Sequence, residues 1–342
     1  MKVALLQLSD IHIRSEKDFV VKNQEAFCRS CKPLINECTK LVVIITGDIA
    51  FKGSKEEYDV AYNWLKLCES FWKREASFLN SVEYIVVPGN HDCDFERSDE
   101  IRELIIETYY KQDEIPSEKY VSSCLSIQEN FWDFYSKLRG EALSPNISWT
   151  HEVQLKQDFS LIFNCYNSAL LSQLNETPGK LTIPRDKFIV REATTTQNVV
   201  ISLYHHNTGW LNPNTPRNNK KEFEHHVLET SNIAMCGHEH SEQSRKISEL
   251  ASHREFMYLE SPAFQSDETS KYGITLLDTD SAAFTLHQFE YSPSDELYKL
   301  SAPLAILKLQ SKQSGILLAP EWEEKLDSIT IPLKHNKIGT LR

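Results

Sequence analysis

The sequence predicts an α/β fold whose sheet is covered on both faces by helices. Short β-branched runs alternate with helix-period segments as far as residue 92. The runs are continuously apolar, as strands buried on both faces are. Histidines and carboxylates gather just after several of these runs, where ligand sites form in α/β sheets.

Each element follows from its local pattern. Lys2 to Ser9 reads as a buried strand, and 19–39 as helical. Leu41-Val42-Val43-Ile44-Ile45-Thr46 is a strand that ends at once in Gly47-Asp48. Over 55–79, Tyr58, Ala61, Tyr62, Leu65 and Cys68 recur at helical spacing. Val82 to Val87 is a further strand, running into Pro88-Gly89-Asn90-His91-Asp92. Residues 93–157 break the rhythm with two polar helices, 98–111 and 126–139, and read as a helical cap or insertion. Strands return at 160–166, 198–204 and 232–236, and β-rich runs follow at 254–260, 272–278 and 283–291. Residues 293–342 read as a C-terminal extension that could lead into a further domain; their apolar runs, 304–307 and 329–333, give no clear element order.

Composition narrows the class. The chain has 342 residues, 40% apolar and 25% charged, an ordinary globular balance. No apolar run approaches the roughly 20 residues needed to span a bilayer, and the N-terminal run is too short for a signal segment, so no membrane partner is expected. With 37 Lys+Arg against 49 Asp+Glu, the net charge of −12 disfavours broad electrostatic binding to long nucleic acid. The eight cysteines are scattered rather than arranged as a disulfide framework, which points to a cytoplasmic setting. Cys28-x-x-Cys31 has no second pair to complete a zinc site, so both are read as structural thiols.

Five segments carry the chemistry, each placed after an apolar strand: Asp10-x-His12; Gly47-Asp48; Gly89-Asn90-His91-Asp92; His205-His206; and Gly237-His238-Glu239-His240. Six of the twelve histidines fall in them, which a random scatter over surface and core would not produce. Imidazole and carboxylate suit Mn, Fe and Zn, and a carboxylate can bridge two ions. The remaining histidines (151, 225, 226, 253, 287 and 335) read as surface or packing residues.

In this order the segments resemble the motifs of the calcineurin-like metallophosphoesterases. The Gly-Asn-His-Asp form is similar to the cyclic-nucleotide phosphodiesterases and the repair exonucleases. The resemblance spans residues 10 to 240. It implies a four-layer αββα sandwich of two mixed β-sheets flanked by helices over about 1–292, with 93–157 as the insertion and a dinuclear centre at one edge. Carried over, Asp10, His12, Asp48 and His240 would hold one metal. Asp48 would bridge to a second, held by Asn90, His205 and His238. His91 would serve as the catalytic acid or transition-state stabiliser, oriented by Asp92. His205 is preferred to His206 because it comes first at the strand end.

Such a pair of divalent ions, Mn2+ favoured with Zn2+ or Fe2+ as alternatives, would direct a bridging hydroxide at a phosphodiester in a nucleotide or nucleic acid. Gly47 to Gly53 lacks the Asp-Arg-Gly of the family's protein phosphatases, and Phe51 stands where purple acid phosphatases place a metal-binding tyrosine. A phosphoprotein substrate is therefore disfavoured, and so is the charge-transfer iron site of the purple acid phosphatases. The loop from Asn207 to Lys221, with Trp210, Arg217, Lys220 and Lys221, is placed beside the ligands. His206, Trp210 and Arg217 are the candidate substrate contacts. Two other readings compete. One is a DNA or RNA nuclease effector module of a larger protein or assembly, resembling modules at the start of longer bacterial chains that include antiviral defence types. The other is a binding scaffold without metal.

Overall fold

The computed structural model describes residues 1–112, 118–184, 188, 197–249, 254–266, 269–281, 283–300 and 304–308. Two mixed sheets lie face to face. In the first, β1 (Lys2–Leu8), β2 (Lys40–Thr46) and β3 (Ser81–Val87) run parallel. Three antiparallel strands extend it from β1: β10 (Lys271–Asp278), β11 (Ala283–Ser292) and β12 (Leu297–Leu300). β13 (Leu304–Lys308) also pairs with β11. The second sheet has the order β4-β5-β6-β7-β9-β8: β4 (Ser148–Lys156), β5 (Phe159–Tyr166), β6 (Gln197–Leu203), β7 (Ile233–Cys236), β8 (Gln243–Glu249) and β9 (Arg254–Glu260).

The period-two alternation of strand side chains sorts each strand between two cores. Val3 and Leu5 of β1 point between the sheets, against Leu161, Phe163, Ile201 and Met235. Ala4, Leu6 and Leu8 point outward, under α2 (Gln24–Ile35), α3 (Lys55–Glu75) and α6 (Glu129–Arg139). The outer face of the second sheet is covered by α7 (Asn219–Thr230) through Phe223 and Val227. The layers are therefore α, β, β and α, as the motifs implied.

Several local expectations change. The helix expected over 19–39 is broken into α1 (Phe19–Lys22) and α2, because Asn23 leaves helical geometry at φ −96 and ψ 19 and its amide donates to the Phe19 carbonyl. α3 stops at Glu75, where Ala76 turns extended. The segment 93–157 is not all cap. Among its described residues it holds three α-helices, since α4 (Glu100–Gln112) and α5 (Glu118–Leu125) precede α6, and Ser148–Lys156 near its end is β4. α6 belongs to the main core through Phe131, Trp132, Phe134 and Tyr135. α4 and α5 form a separate cluster, with Ile106, Tyr109 and Cys124 against Leu170 and Leu171. β8 was hidden by its polar sequence, Gln-Ser-Arg-Lys-Ile-Ser-Glu. Beyond residue 292 the first sheet continues into β12 and β13. The 329–333 run, His253 and His335 lie outside the described residues.

Candidate metal centre

β1, β2, β3, β6 and β7 all end at the same edge, and each delivers a chemical segment there. After β1 and β2 the two chains are stitched together: Asp10 N donates to the Gly47 carbonyl, and Ile11 N and His12 N both donate to Asp48 O. The turns out of the strands are sharp. Asp10, His12, Asp48, His238 and His240 have φ between 51° and 77°, a left-handed backbone that side chains resist. Only two other non-glycine residues, Asn218 and Glu296, share it among the described residues. Strain of about 1–3 kcal/mol per residue, concentrated at one edge, marks a functional site.

Two glycines make the close approach possible. A Cβ on Gly89 would fall 2.1 Å from Asp48 Oδ1, and one on Gly47 would fall 2.4 Å from His205 Nδ1.

The donor atoms form two groups around Asp48. In one, His205 Nε2 lies 3.1 Å from Asn90 Oδ1, 3.1 Å from His238 Nδ1 and 3.4 Å from Asp48 Oδ2. In the other, His240 Nε2 lies 3.3 Å from Asp10 Oδ1 and 3.5 Å from His12 Nε2, which is 3.9 Å from Asp48 Oδ2. Ligand atoms about 2.1 Å from one ion sit roughly 3–3.5 Å apart in octahedral or tetrahedral arrangements. Most of the donors thus already have the spacing of ligand shells, and Asp48 Oδ2, 3.4 Å from His205 Nε2 and 3.9 Å from His12 Nε2, lies between the two groups. Asp10 Oδ1 is fully buried with no hydrogen-bond partner, an arrangement that a cation would relieve.

Hydrogen bonds behind the donors fix their orientation. His205 Nδ1 donates to the Thr46 carbonyl at 2.7 Å, leaving Nε2 to face the group. Asp48 Oδ1 accepts from His91 N at 2.8 Å, and Asp10 Oδ2 accepts from His238 N at 3.1 Å.

Charge in the cluster is strongly uneven. Burial opposes charge on Asp48, yet His205, His12 and His91 hold it well below the usual carboxylate range. Burial likewise opposes charge on His205, but Asp48 and Asp10 carry it up to about 10. Burial, with His206 and His205 alongside, pushes His238 down.

The role expected of Asp92 changes. Asp92 forms no hydrogen bond with His91. Its carboxylate accepts from Ile49 N, Ala50 N, Tyr58 Oη and Gly89 N, so it ties the β2 and β3 turns together. Burial and the nearby Asp48 push its pKa up to about 6 against those hydrogen bonds. His91 is oriented instead by the Phe51 carbonyl, 2.7 Å from Nδ1, and its ring stacks on Phe51. Sequence patterns of side chains do not reveal such a backbone acceptor. His206 is fully buried and occupied at both nitrogens, by Ser168 Oγ at 3.0 Å and Glu176 Oε2 at 3.0 Å. Its ring packs 4.4 Å from that of His238. Ser168 and Glu176 lie outside the motifs and carried no sequence signal.

Trp210 does reach the cluster: its ring meets His238 edge-on at 4.2 Å, and its Nε1 donates to Glu239. Arg217 lies half-buried in the turn before α7, and Lys220 and Lys221 fall within the first turn of that helix.

Known proteins resemble this chain over most of its length. The chain is 25% identical over 281 residues to an uncharacterized metallophosphoesterase-like protein, YydB, of Bacillus subtilis. The match covers 78% of this chain but 55% of that protein, so the chain spans about half the length of its curated relative. Among solved structures, a Vps29 single mutant from Entamoeba histolytica matches with TM-score 0.34 and 13% identity, over 88% of this chain and 98% of that one. GAP50 of Plasmodium, described as the anchor in the inner membrane complex, matches with TM-score 0.44 and 9% identity, over 96% and 95%. The family model for calcineurin-like phosphoesterases matches residues 3–242, from β1 through the last of the five segments. The chain belongs to the calcineurin-like phosphoesterase family.

Proposed function

We propose that the chain hydrolyses a phosphodiester bond in a nucleotide or nucleic acid with the help of two divalent cations. What carries this reading is Asp48, whose Oδ2 faces His12 and His205 from between two groups of donors at ligand spacing. Asp10, His12 and His240 would hold one ion with Asp48, and Asn90, His205 and His238 the other. The donors are nitrogen and oxygen with no sulfur, which favours Mn2+. Bound there, the cations would supply Lewis acidity to acidify water and neutralise phosphate oxygens.

The protein's own groups supply the rest. His91, held at Nδ1 by the Phe51 carbonyl, keeps Nε2 for proton transfer to a leaving alkoxide. Asp92 keeps the turns carrying Asp48 and His91 in register. Trp210, His206 and Arg217 are proposed to shape the substrate side, with His206 acting through the His238 ring. All eight cysteines are buried and free, which supports a reducing, cytoplasmic compartment. Among the described residues no helix is long and apolar enough to cross a membrane.

A second reading, a nuclease module within a larger protein, draws on the curated relative being nearly twice as long as the stretch this chain covers. Turnover of bis(p-nitrophenyl) phosphate and of oligonucleotides, with EDTA and Mn2+ re-addition, tests both. EDTA-resistant hydrolysis would overturn the metal-dependent reading. Hydrolysis of oligonucleotides alone would favour the nuclease.

A further inference from the structure

Arg14 stands two positions after His12 at the mouth of the cluster, exposed to solvent. Its guanidinium carbon lies 3.8 Å from the centroid of the Phe51 ring. That ring in turn stacks on His91, with centroids 5.3 Å apart and planes 29° apart. Phe51, which has no oxygen to offer a metal, acts here as a platform between the catalytic histidine and a cation.

The platform is firmly held. Phe51 N donates to Ile13 O, and the adjoining Lys52 N donates to Glu57 of the α3 cap. Arg14 N and Ser15 N both donate to Asp18. Four other arginines pair with acidic side chains, Arg29 with Glu25, Arg74 with Glu75, Arg97 with Glu129 and Arg139 with Glu141, while Arg102 donates to the Leu170 and Ser172 carbonyls and Arg245 meets Gln243 and the Tyr258 ring. Among the described residues the Arg14 guanidinium meets no carboxylate, although the net charge is −12. Set over the ring and with no hydrogen-bond partner for its guanidinium among the described residues, Arg14 keeps N–H donors in the fork that takes a phosphate bidentately.

We infer that Arg14 forms a subsite for a second phosphate flanking the scissile diester, as carried by a phosphorylated dinucleotide but not by a simple diester. The subsite rests on the phosphodiesterase reading and narrows it to substrates bearing more than one phosphate.

The test compares thymidine dinucleotides with no terminal phosphate, a 5′-phosphate or a 3′-phosphate, using Mn2+-loaded full chain and its Arg14→Gln variant. For the wild type, one phosphorylated form is expected to show a KM about tenfold below that of the unphosphorylated form, the size of one charge-assisted contact. In Arg14→Gln the two values are expected to converge. Calorimetry with thymidine 3′,5′-bisphosphate and thymidine 5′-monophosphate reads the same contact without turnover, and Arg14→Gln is expected to abolish the wild type's tighter binding of the bisphosphate. Equal KM values in the wild type, or a preference that survives Arg14→Gln, would overturn the subsite while leaving the phosphodiesterase reading intact. Turnover of neither the dinucleotides nor bis(p-nitrophenyl) phosphate would overturn that reading, and the subsite with it.

Discussion

On one flank of Asp48, His205 is fully buried and its Nδ1 is pinned to the Thr46 carbonyl. On the other, the His240 side chain is 49% exposed, and its contacts are with Asp10 and the ring of His12. His205 thus sits in a closed pocket and His240 at an open rim, although Asp10 and His12 beside His240 are buried and Asn90 and His238 beside His205 are half-buried. Burial makes an unpaired donor expensive, and the orphaned oxygen here, Asp10 Oδ1, is buried beside His240, so the flank with the exposed histidine needs an ion no less than the other. An ion held beside His240 would be the one open to exchange and to a substrate phosphate.

Asp48→Asn should have the largest effect, because Asp48 is the one ligand proposed for both flanks. Native mass spectrometry should find both ions weakened, with activity lost. Full occupancy in this variant would refute the bridge. The comparison itself is sharpened by His240→Ala against His205→Ala. The first should lose the rim ion and keep the buried one. The second should lose the buried ion and loosen Asp48, which lies 3.4 Å from the His205 Nε2. Equal losses in the two variants would erase the distinction between the flanks.

Next in size is His91→Ala. Both ions should stay, while kcat falls by about 10²–10⁴-fold. The fall should be steeper for a nucleoside diester than for a p-nitrophenyl ester, whose leaving group needs little protonation. Metal loss, or equal slowing of good and poor leaving groups, would remove the acid role.

Asp92→Ala should cost about 3 kcal/mol of stability in urea unfolding, because buried donors on both turns lose a charged acceptor. A change of a few tenths would show that the carboxylate does not hold the turns. The smallest expected effect is on protons. His205, raised to about 10, is protonated in the metal-free protein at pH 7, and an ion must displace that proton. About one proton should therefore be released per buried ion, and affinity should rise with pH until about 10. Calorimetry in buffers of different ionisation enthalpy counts it, and no release would contradict the assigned charge.

Much of this architecture is legible in the sequence because strand ends and ligand residues share short motifs. Asp10, Asp48, Asn90, His205 and His238 follow apolar runs whose burial is plain from composition. What stayed hidden depends on long-range contact. β8 is an edge strand with little apolar content, and β4 follows helices that read as a continuous insertion. Asp92 looks like a partner of its neighbour His91, yet backbone amides from the β2 turn reach it first. Phe51 was readable as an absent tyrosine, but its packing under Arg14 depends on the turns after β1 and β2 lying side by side. Ser168 and Glu176 are ordinary residues until the fold brings them to His206.

Metal stoichiometry of the full chain tests the central claim most directly. The protein should be stripped with EDTA, reloaded with Mn2+ and counted by native mass spectrometry, with bis(p-nitrophenyl) phosphate turnover followed in parallel. Two ions per chain, with activity appearing only as the second binds, is the expected result. A single ion at full activity, or turnover in the stripped protein, would contradict a dinuclear centre bridged by Asp48.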